Sequence, residues 1–164
     1  MAEVISDTSP LQYLHQLGLL GHLHRLVGTL TVPEAVAMEL DVGRARGLDL
    51  PSPGAIPWMR VRKPEGGKVL PLVRDLGPGE TAALALALES SGATVLMDDG
   101  HGRRVALALG IAIRGTAGIL LDLKGKGLIP AVLPLLNQLD RLRFRLASEA
   151  RKVVLAAAGE VDAV

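Results

Sequence analysis

The sequence predicts an α/β fold: a central, mostly parallel sheet covered by helices on both faces, in a three-layer α/β/α arrangement. Three observations predict it. Short apolar runs of strand length alternate along the chain with longer stretches in which leucine and alanine recur at helical spacing. The length, 164 residues, matches one domain at about 150 residues each. Hydrophobic residues make up 49% and charged residues 21%, with 19 glycines and 10 prolines, a composition that supplies a sizeable core rather than a disordered chain. A single domain over 1–164 is expected, ending in a helical extension over 130–164.

The elements follow in order. Val4 and Ile5 open a short strand that stops at Asp7, Thr8, Ser9 and Pro10, a helix cap followed by a proline in the first turn. Leu11, Leu14 and Leu17, then Leu20 and Leu23, keep helical spacing around Gly18 and predict two short helices or one kinked helix. Residues 29–32 make a second strand, and Pro33 opens a helix in which Val36 and Leu40 share a face beside Glu39. After a Gly/Pro-rich connection over 43–57, residues 58–62 alternate apolar and basic as a half-buried edge strand does, and 63–68 read as a loop. Turn residues 76–80 feed an Ala/Leu-rich helix over 81–89, apolar enough to lie in the core. A strand over 93–97 ends in Asp98 and Asp99, a helix covers 100–109, a strand 111–113, and Thr116 caps a helix running towards Gly127. Two more helices are expected over 130–139 and 148–158, with 143–146 as a short strand between them. Strands alternating with helices imply parallel pairing through right-handed crossovers.

Composition excludes several functions. Three aromatic residues, Tyr13, Trp58 and Phe144, are too few for a stacked-ring nucleic-acid platform. The absence of cysteine excludes a disulfide scaffold, a thiolate metal site and a thiol nucleophile, and suits the reducing cytoplasm, the expected location. No secretory signal is visible at the start, and no apolar run approaches the roughly 20 residues of a membrane span. Net charge is +1, but residues 1–100 carry 8 basic against 12 acidic groups and residues 101–164 carry 10 against 5. Such asymmetry suits carboxylates that hold cations beside a basic rim that attracts a polyanion, and solvated helix faces produce it as well.

In an open parallel sheet, ligands bind beyond the carboxyl ends of the strands. Asp7, Asp98 and Asp99 end strands there, Glu80 starts the helix leading into the Asp99 strand, and Glu39 lies about two turns into the helix after the second strand. Together they would share one pocket. Two unit charges about 4–5 Å apart repel by roughly 3–4 kcal/mol at an effective dielectric near 20. Such a group must either protonate or hold a hard divalent cation, Mg²⁺ or Mn²⁺, able to orient a water for attack on a phosphodiester. Each residue also has an ordinary structural reading: Asp7 as a cap, Glu80 at a helix N-terminus, Glu39 solvated, Asp98 and Asp99 in a turn.

Other features weigh less. His22 and His24, two residues apart, face differently on a helix, so with His15 they make a poor zinc site. No strand-linked G-x-G-x-x-G, P-loop or G-x-S-x-G occurs, which disfavours dinucleotide binding, P-loop ATP binding and serine hydrolysis. Arg103, Arg104, Arg141, Arg143 and Arg145 are candidate phosphate contacts or solvated surface residues. A first-strand aspartate also suits a phosphotransferase of the haloacid-dehalogenase type, although Ser9 stands where the second aspartate is expected.

Read together, Asp7-Thr8-Ser9-Pro10-Leu11, Val32-Pro33-Glu34-Ala35-Val36 with Glu39-Leu40, Gly77-Pro78-Gly79-Glu80-Thr81-Ala82-Ala83, Asp98-Asp99 with Arg103, Gly115-Thr116-Ala117-Gly118-Ile119-Leu120 and Lys126-Gly127-Leu128-Ile129 make the chain resemble the PIN-domain family, in particular the bacterial and archaeal proteins related to VapC-type toxins. The likeness spans nearly the whole chain. It implies that Asp7, Glu39, Glu80 and Asp99 are the catalytic acids and that Asp7, Glu80, Asp98 and Asp99 bind metal, with Glu34 competing for the place of Glu39. It implies a hydroxyl, Thr8 or Ser9, that orients Asp7, and Arg103 and Arg104 as contacts to nucleic acid. The implied activity is Mg²⁺- or Mn²⁺-dependent cleavage of RNA, with an antitoxin protein and a second copy of the chain as partners. The competing expectation is a nucleic-acid-binding or regulatory protein that keeps the scaffold without catalysis.

Overall fold

Five apolar runs too short for helices form strands, and the alanine- and leucine-rich stretches between them form helices. The computed structural model describes residues 2–66 and 75–162, so positions 67 and 68 of the expected loop lie outside the described residues. Strands β1 (Val4–Ser6), β2 (Leu30–Pro33), β3 (Met59–Arg62), β4 (Thr94–Leu96) and β5 (Ala112–Arg114) pair in the order β3-β2-β1-β4-β5, every pair parallel. The helices are α1 (Thr8–Gln16), α2 (Leu20–Val27), α3 (Glu34–Ala45), α4 (Pro78–Glu89), α5 (Gly100–Ala108), α6 (Thr116–Gly125), α7 (Leu133–Arg141) and α8 (Ser148–Ala157).

Successive strand residues point to opposite faces, so each strand feeds two cores. Leu30, Val32 and Leu96 pack with Leu11 and Leu14 of α1, Leu23 of α2 and Leu120 of α6. Ile5, Val95 and Met97 point the other way, onto Ala83, Leu84 and Leu86 of α4 and Ala106 of α5. The α4 sequence, TAALALALE, is apolar round most of its circumference because the helix lies against β1, β2 and β4 as well as α3. Each leucine fully buried in this way contributes about 1.5–3 kcal/mol. Among the described residues, no helix is long and apolar enough to cross a membrane.

Three expectations need correction. Residues 143–146 form no strand: Arg143 adopts a positive φ of 65° after α7, and no neighbouring strand offers the segment a ladder. Alternation alone cannot supply that partner. Thr116 is not a cap; Gly115 is the N-cap of α6, and Thr116 turns its hydroxyl to Asp98. The 43–57 connection contains a 3₁₀ turn at Pro53–Ala55, begun by its proline.

Candidate active site

The strand order sets the position of the site. The chain runs outward from β1 through β2 to β3, then crosses back to lay β4 on the other side of β1. Connections diverge at that point and leave a crevice beyond the carboxyl ends of β1 and β4, where open α/β sheets bind ligands. Ser6 pairs with Leu96, and the Asp7 N–H donates to the Leu96 carbonyl at 2.9 Å. Asp7 therefore lies opposite Met97, and Asp98 follows one residue further along the adjacent strand.

Each acid is held by a different element. Asp7 is 5% exposed, and although it stands at the N-cap of α1 its side chain makes no capping bond. Glu39, on the second turn of α3, accepts from the Thr8 hydroxyl at 2.7 Å and from the Gly79 N–H at 3.2 Å. Glu80, in the first turn of α4, accepts from the Gly77 N–H through Oε1 at 3.3 Å, while its Oε2 is buried without a donor. Asp98 is gripped by Thr116, whose N–H donates to Oδ1 at 2.7 Å and whose hydroxyl donates to Oδ2 at 2.6 Å. Asp99 caps α5, accepting from the Gly102 N–H at 2.7 Å.

Three glycines give these groups room. A methyl at Gly79 would lie 2.8 Å from Glu39 Oε1. One at Gly102 would lie 2.5 Å from Met97 Sδ and 3.2 Å from Glu80 Oε2, and one at Gly115 would lie 3.1 Å from Asp98 Oδ1. A real Cβ at any of these points would push a carboxylate or its neighbour out of place.

The crowding shows in the electrostatics. Burial pushes the Asp7 carboxyl up to about 7; the Thr8 backbone N–H opposes the rise, and the negative charges of Glu80, Glu39 and Asp98 add to it. Glu80 is raised by burial and by the Asp99 carboxylate beside it, whereas Asp99 is lowered, first by the Gly102 N–H and then by Glu80. The two carboxyls are pushed in opposite directions because their charges compete, which favours the ionised form on Asp99 over Glu80. Asp98 is raised by burial, against the pull of Thr116 and the Arg103 guanidinium.

The donor set suits a hard divalent cation: carboxylate oxygens, one of them buried without a donor, around a space that a single methyl would fill. Among the described residues, no three acidic or imidazole side chains close round a single point. Mg²⁺ does not require that, since it keeps several waters and takes one or two carboxylates. Asp7, Glu80, Asp98 and Asp99 are the residues that could hold such an ion.

The crevice brings together Asp7, Glu39, Glu80, Asp98 and Asp99, whereas Glu34 is exposed on the first turn of α3 with no bond to any of them. The Thr8 hydroxyl holds Glu39 rather than Asp7, and half-buried Ser9 bonds to neither. Arg103 lies beside Asp98 and donates to the Met97 carbonyl at 3.4 Å; Arg104 is exposed one residue further along α5. The histidines disperse: His15 Nε2 lies 2.8 Å from Asp49 Oδ1, and His24 stacks on Trp58 with ring centroids 4.7 Å apart. Sequence reasoning missed Thr116 as a support for Asp98. Its signal was a hydroxyl two residues past β5, the position that Thr8 holds past β1.

Comparison with known proteins agrees with this geometry. A family model described as a PIN domain matches residues 3–160. No curated protein matches the chain. PIN domains are generally nucleases and typically use divalent metals. With nearly its whole length matched and its carboxylates gathered at the β1/β4 crevice, the chain belongs to the PIN-domain family, a nuclease-type group.

Proposed function

We propose that the protein is a Mg²⁺- or Mn²⁺-dependent endoribonuclease that hydrolyses RNA phosphodiester bonds with water as the nucleophile. The observation that supports it best is a buried aspartate lifted to about 7 by its surroundings in a crevice shared with four other carboxylates. Perturbed acids concentrated at a topological switch point are the signature of a working site rather than of surface capping residues.

In this reading Asp7, Glu80, Asp98 and Asp99 hold the cation, and Asp7, Glu39, Glu80 and Asp99 form the catalytic acid set. When bound, the metal supplies neutralising charge, a more acidic attacking water and stabilisation of the leaving oxygen. Asp7 gives up its proton on loading, so metal affinity rises with pH through about 7. Burial and the neighbouring Asp99 raise Glu80, so a bound cation would favour its ionised form as it does that of Asp7. Thr8 and Thr116 hold Glu39 and Asp98 in fixed orientations by hydroxyl donation.

Purified protein with single-stranded RNA and Mn²⁺ tests the reading. Wild type is expected to cleave internally, and Asp7→Asn and Asp99→Asn to lose at least ~100-fold in rate. Equal cleavage by all three would identify a contaminant and end the proposal. The second reading is a PIN scaffold that binds nucleic acid without cutting it. RNA binding without cleavage at saturating Mn²⁺ would select it. An antitoxin partner and a homodimer belong to the same proposal, and sedimentation of the purified chain checks the dimer.

A further inference from the structure

Helix α5 leads away from the acids along the open edge of the sheet. Between it and edge strand β5 lies a cleft of ≈ 450 Å³, within the roughly 300–1,000 Å³ range of sites for small ligands. Gly100, directly after Asp99, stands at one end, and Arg103, Arg104, Leu107, Ile111 and Ile113 form the walls. The α5 contributors recur at three- and four-residue spacing and so share one face of the helix. Arg103 belongs to both places. A methyl at Gly115 would lie 2.5 Å from its Nη1 and 3.1 Å from Asp98 Oδ1, so guanidinium and carboxylate flank the same glycine.

The walls are graded in polarity. Two guanidiniums stand at the end nearest the acids, and apolar side chains follow one turn further on. Arg104 is exposed and makes no ion pair or hydrogen bond among the described residues. Leu107 is 80% exposed. Nothing in the fold requires either arrangement. A nucleotide has the matching order of chemistry, an anionic phosphate joined through a sugar to a flat, largely apolar base.

We propose that this cleft is the subsite for the nucleotide flanking the scissile phosphate of a single-stranded RNA. Arg104, with Arg103, takes that nucleotide's phosphate, and Leu107, Ile111 and Ile113 receive its base. The proposal rests on the nuclease reading and deepens it. It selects unpaired RNA, because a base stacked within a duplex cannot turn into a cleft while its phosphates still reach the rim.

The test measures binding in EDTA, so that affinity is read without cleavage. A short labelled single-stranded RNA, the same sequence as a duplex, and the full chain are titrated across a salt series. Wild type is expected to bind the single strand more tightly than the duplex. Arg104→Ala should weaken binding ~10-fold and reduce the slope of log K against log salt by about 0.7, one phosphate contact on a single strand. Leu107→Asn should weaken binding ~10-fold with the slope unchanged, since it removes a base contact and no charge. Arg60→Ala, an exposed arginine on the far edge strand β3, is the control and should bind as wild type does.

Unchanged affinity in both cleft variants overturns the subsite even if wild type cleaves RNA, and so does equal affinity for the duplex. The pattern expected above in a protein that fails to cut with Mn²⁺ removes the nuclease reading and keeps the cleft as a site for an unpaired nucleotide, without a scissile phosphate beside it. If Leu107→Asn instead breaks a dimer seen by sedimentation while RNA affinity holds, the cleft is an interface between two copies and the proposal fails.

Discussion

At the scale of single residues, Asp7 couples folding to pH. Burial raises its carboxyl from the ordinary aspartate value to about 7, so the folded state holds a proton that the unfolded chain has already released. The resulting stabilisation is fully present below about pH 4 and drains away as pH climbs towards 7. About three pKa units at 1.36 kcal/mol each put its size on the order of 4 kcal/mol. Metal-free wild type should therefore lose stability between about pH 4 and 7, with Glu80 and Asp98, also raised, adding in the same direction. Asp7→Asn cannot ionise and should show a flatter profile and a higher melting temperature than wild type above pH 7. Urea denaturation at a series of pH values checks this, and parallel profiles would mean that Asp7 is solvated. Gly102→Ala carries a different expectation. Its methyl would press on Met97 Sδ at 2.5 Å and Glu80 Oε2 at 3.2 Å, so it should cost about 1–3 kcal/mol and disturb the Glu80–Asp99 pair. Thermal melting with a parallel Mn²⁺ titration reads both effects.

At the scale of elements, the helix ends explain what was legible and what was not. An unbroken Ala/Leu run made α4 readable from sequence, although its first turn, Pro78 to Glu80, read as part of the preceding turn, and Pro33 located α3. The start of α7 was read three residues early because its N-terminus is completed by a distant residue. Glu160, beyond α8, accepts from the Val132 N–H at 2.8 Å and the Leu133 N–H at 2.9 Å and pairs with Lys124 Nζ at 2.8 Å. One side chain thereby ties the tail to α6 and α7. Glu160→Ala should lower stability by about 1–2 kcal/mol, the worth of a lost helix cap, with no change in RNA affinity. A melting temperature equal to wild type would show that solvent caps α7 as well as Glu160 does.

At the scale of the whole molecule, the parallel sheet with its reversal between β1 and β4 turns five scattered acids into one charge problem. A ligand that binds the folded state alone stabilises it by RT ln(1 + [L]/Kd), about 2.7 kcal/mol at a hundredfold excess over Kd. At roughly 2–4 °C per kcal/mol for a chain of this size, saturating Mn²⁺ should raise the melting temperature by about 5–10 °C. Asp99→Asn should show a reduced rise. Scanning calorimetry with and without millimolar Mn²⁺ decides, and a flat response in wild type counts against cation binding in the crevice.

The sequence by itself determined the order of the five strands, though it added a sixth at 143–146, together with the helices between them and the identity of the acids that close β1 and β4, because periodicity, proline placement and chain breaks are local properties. Tertiary structure alone decided which strands are neighbours, that Thr8 supports Glu39 rather than Asp7, that Thr116 grips Asp98, and that the Glu80 and Asp99 carboxyls meet across Gly102. Those are contacts between residues 18 to 31 positions apart for the bonded pairs, and pairing at such separations is set by the packing of the two cores, which no local pattern encodes.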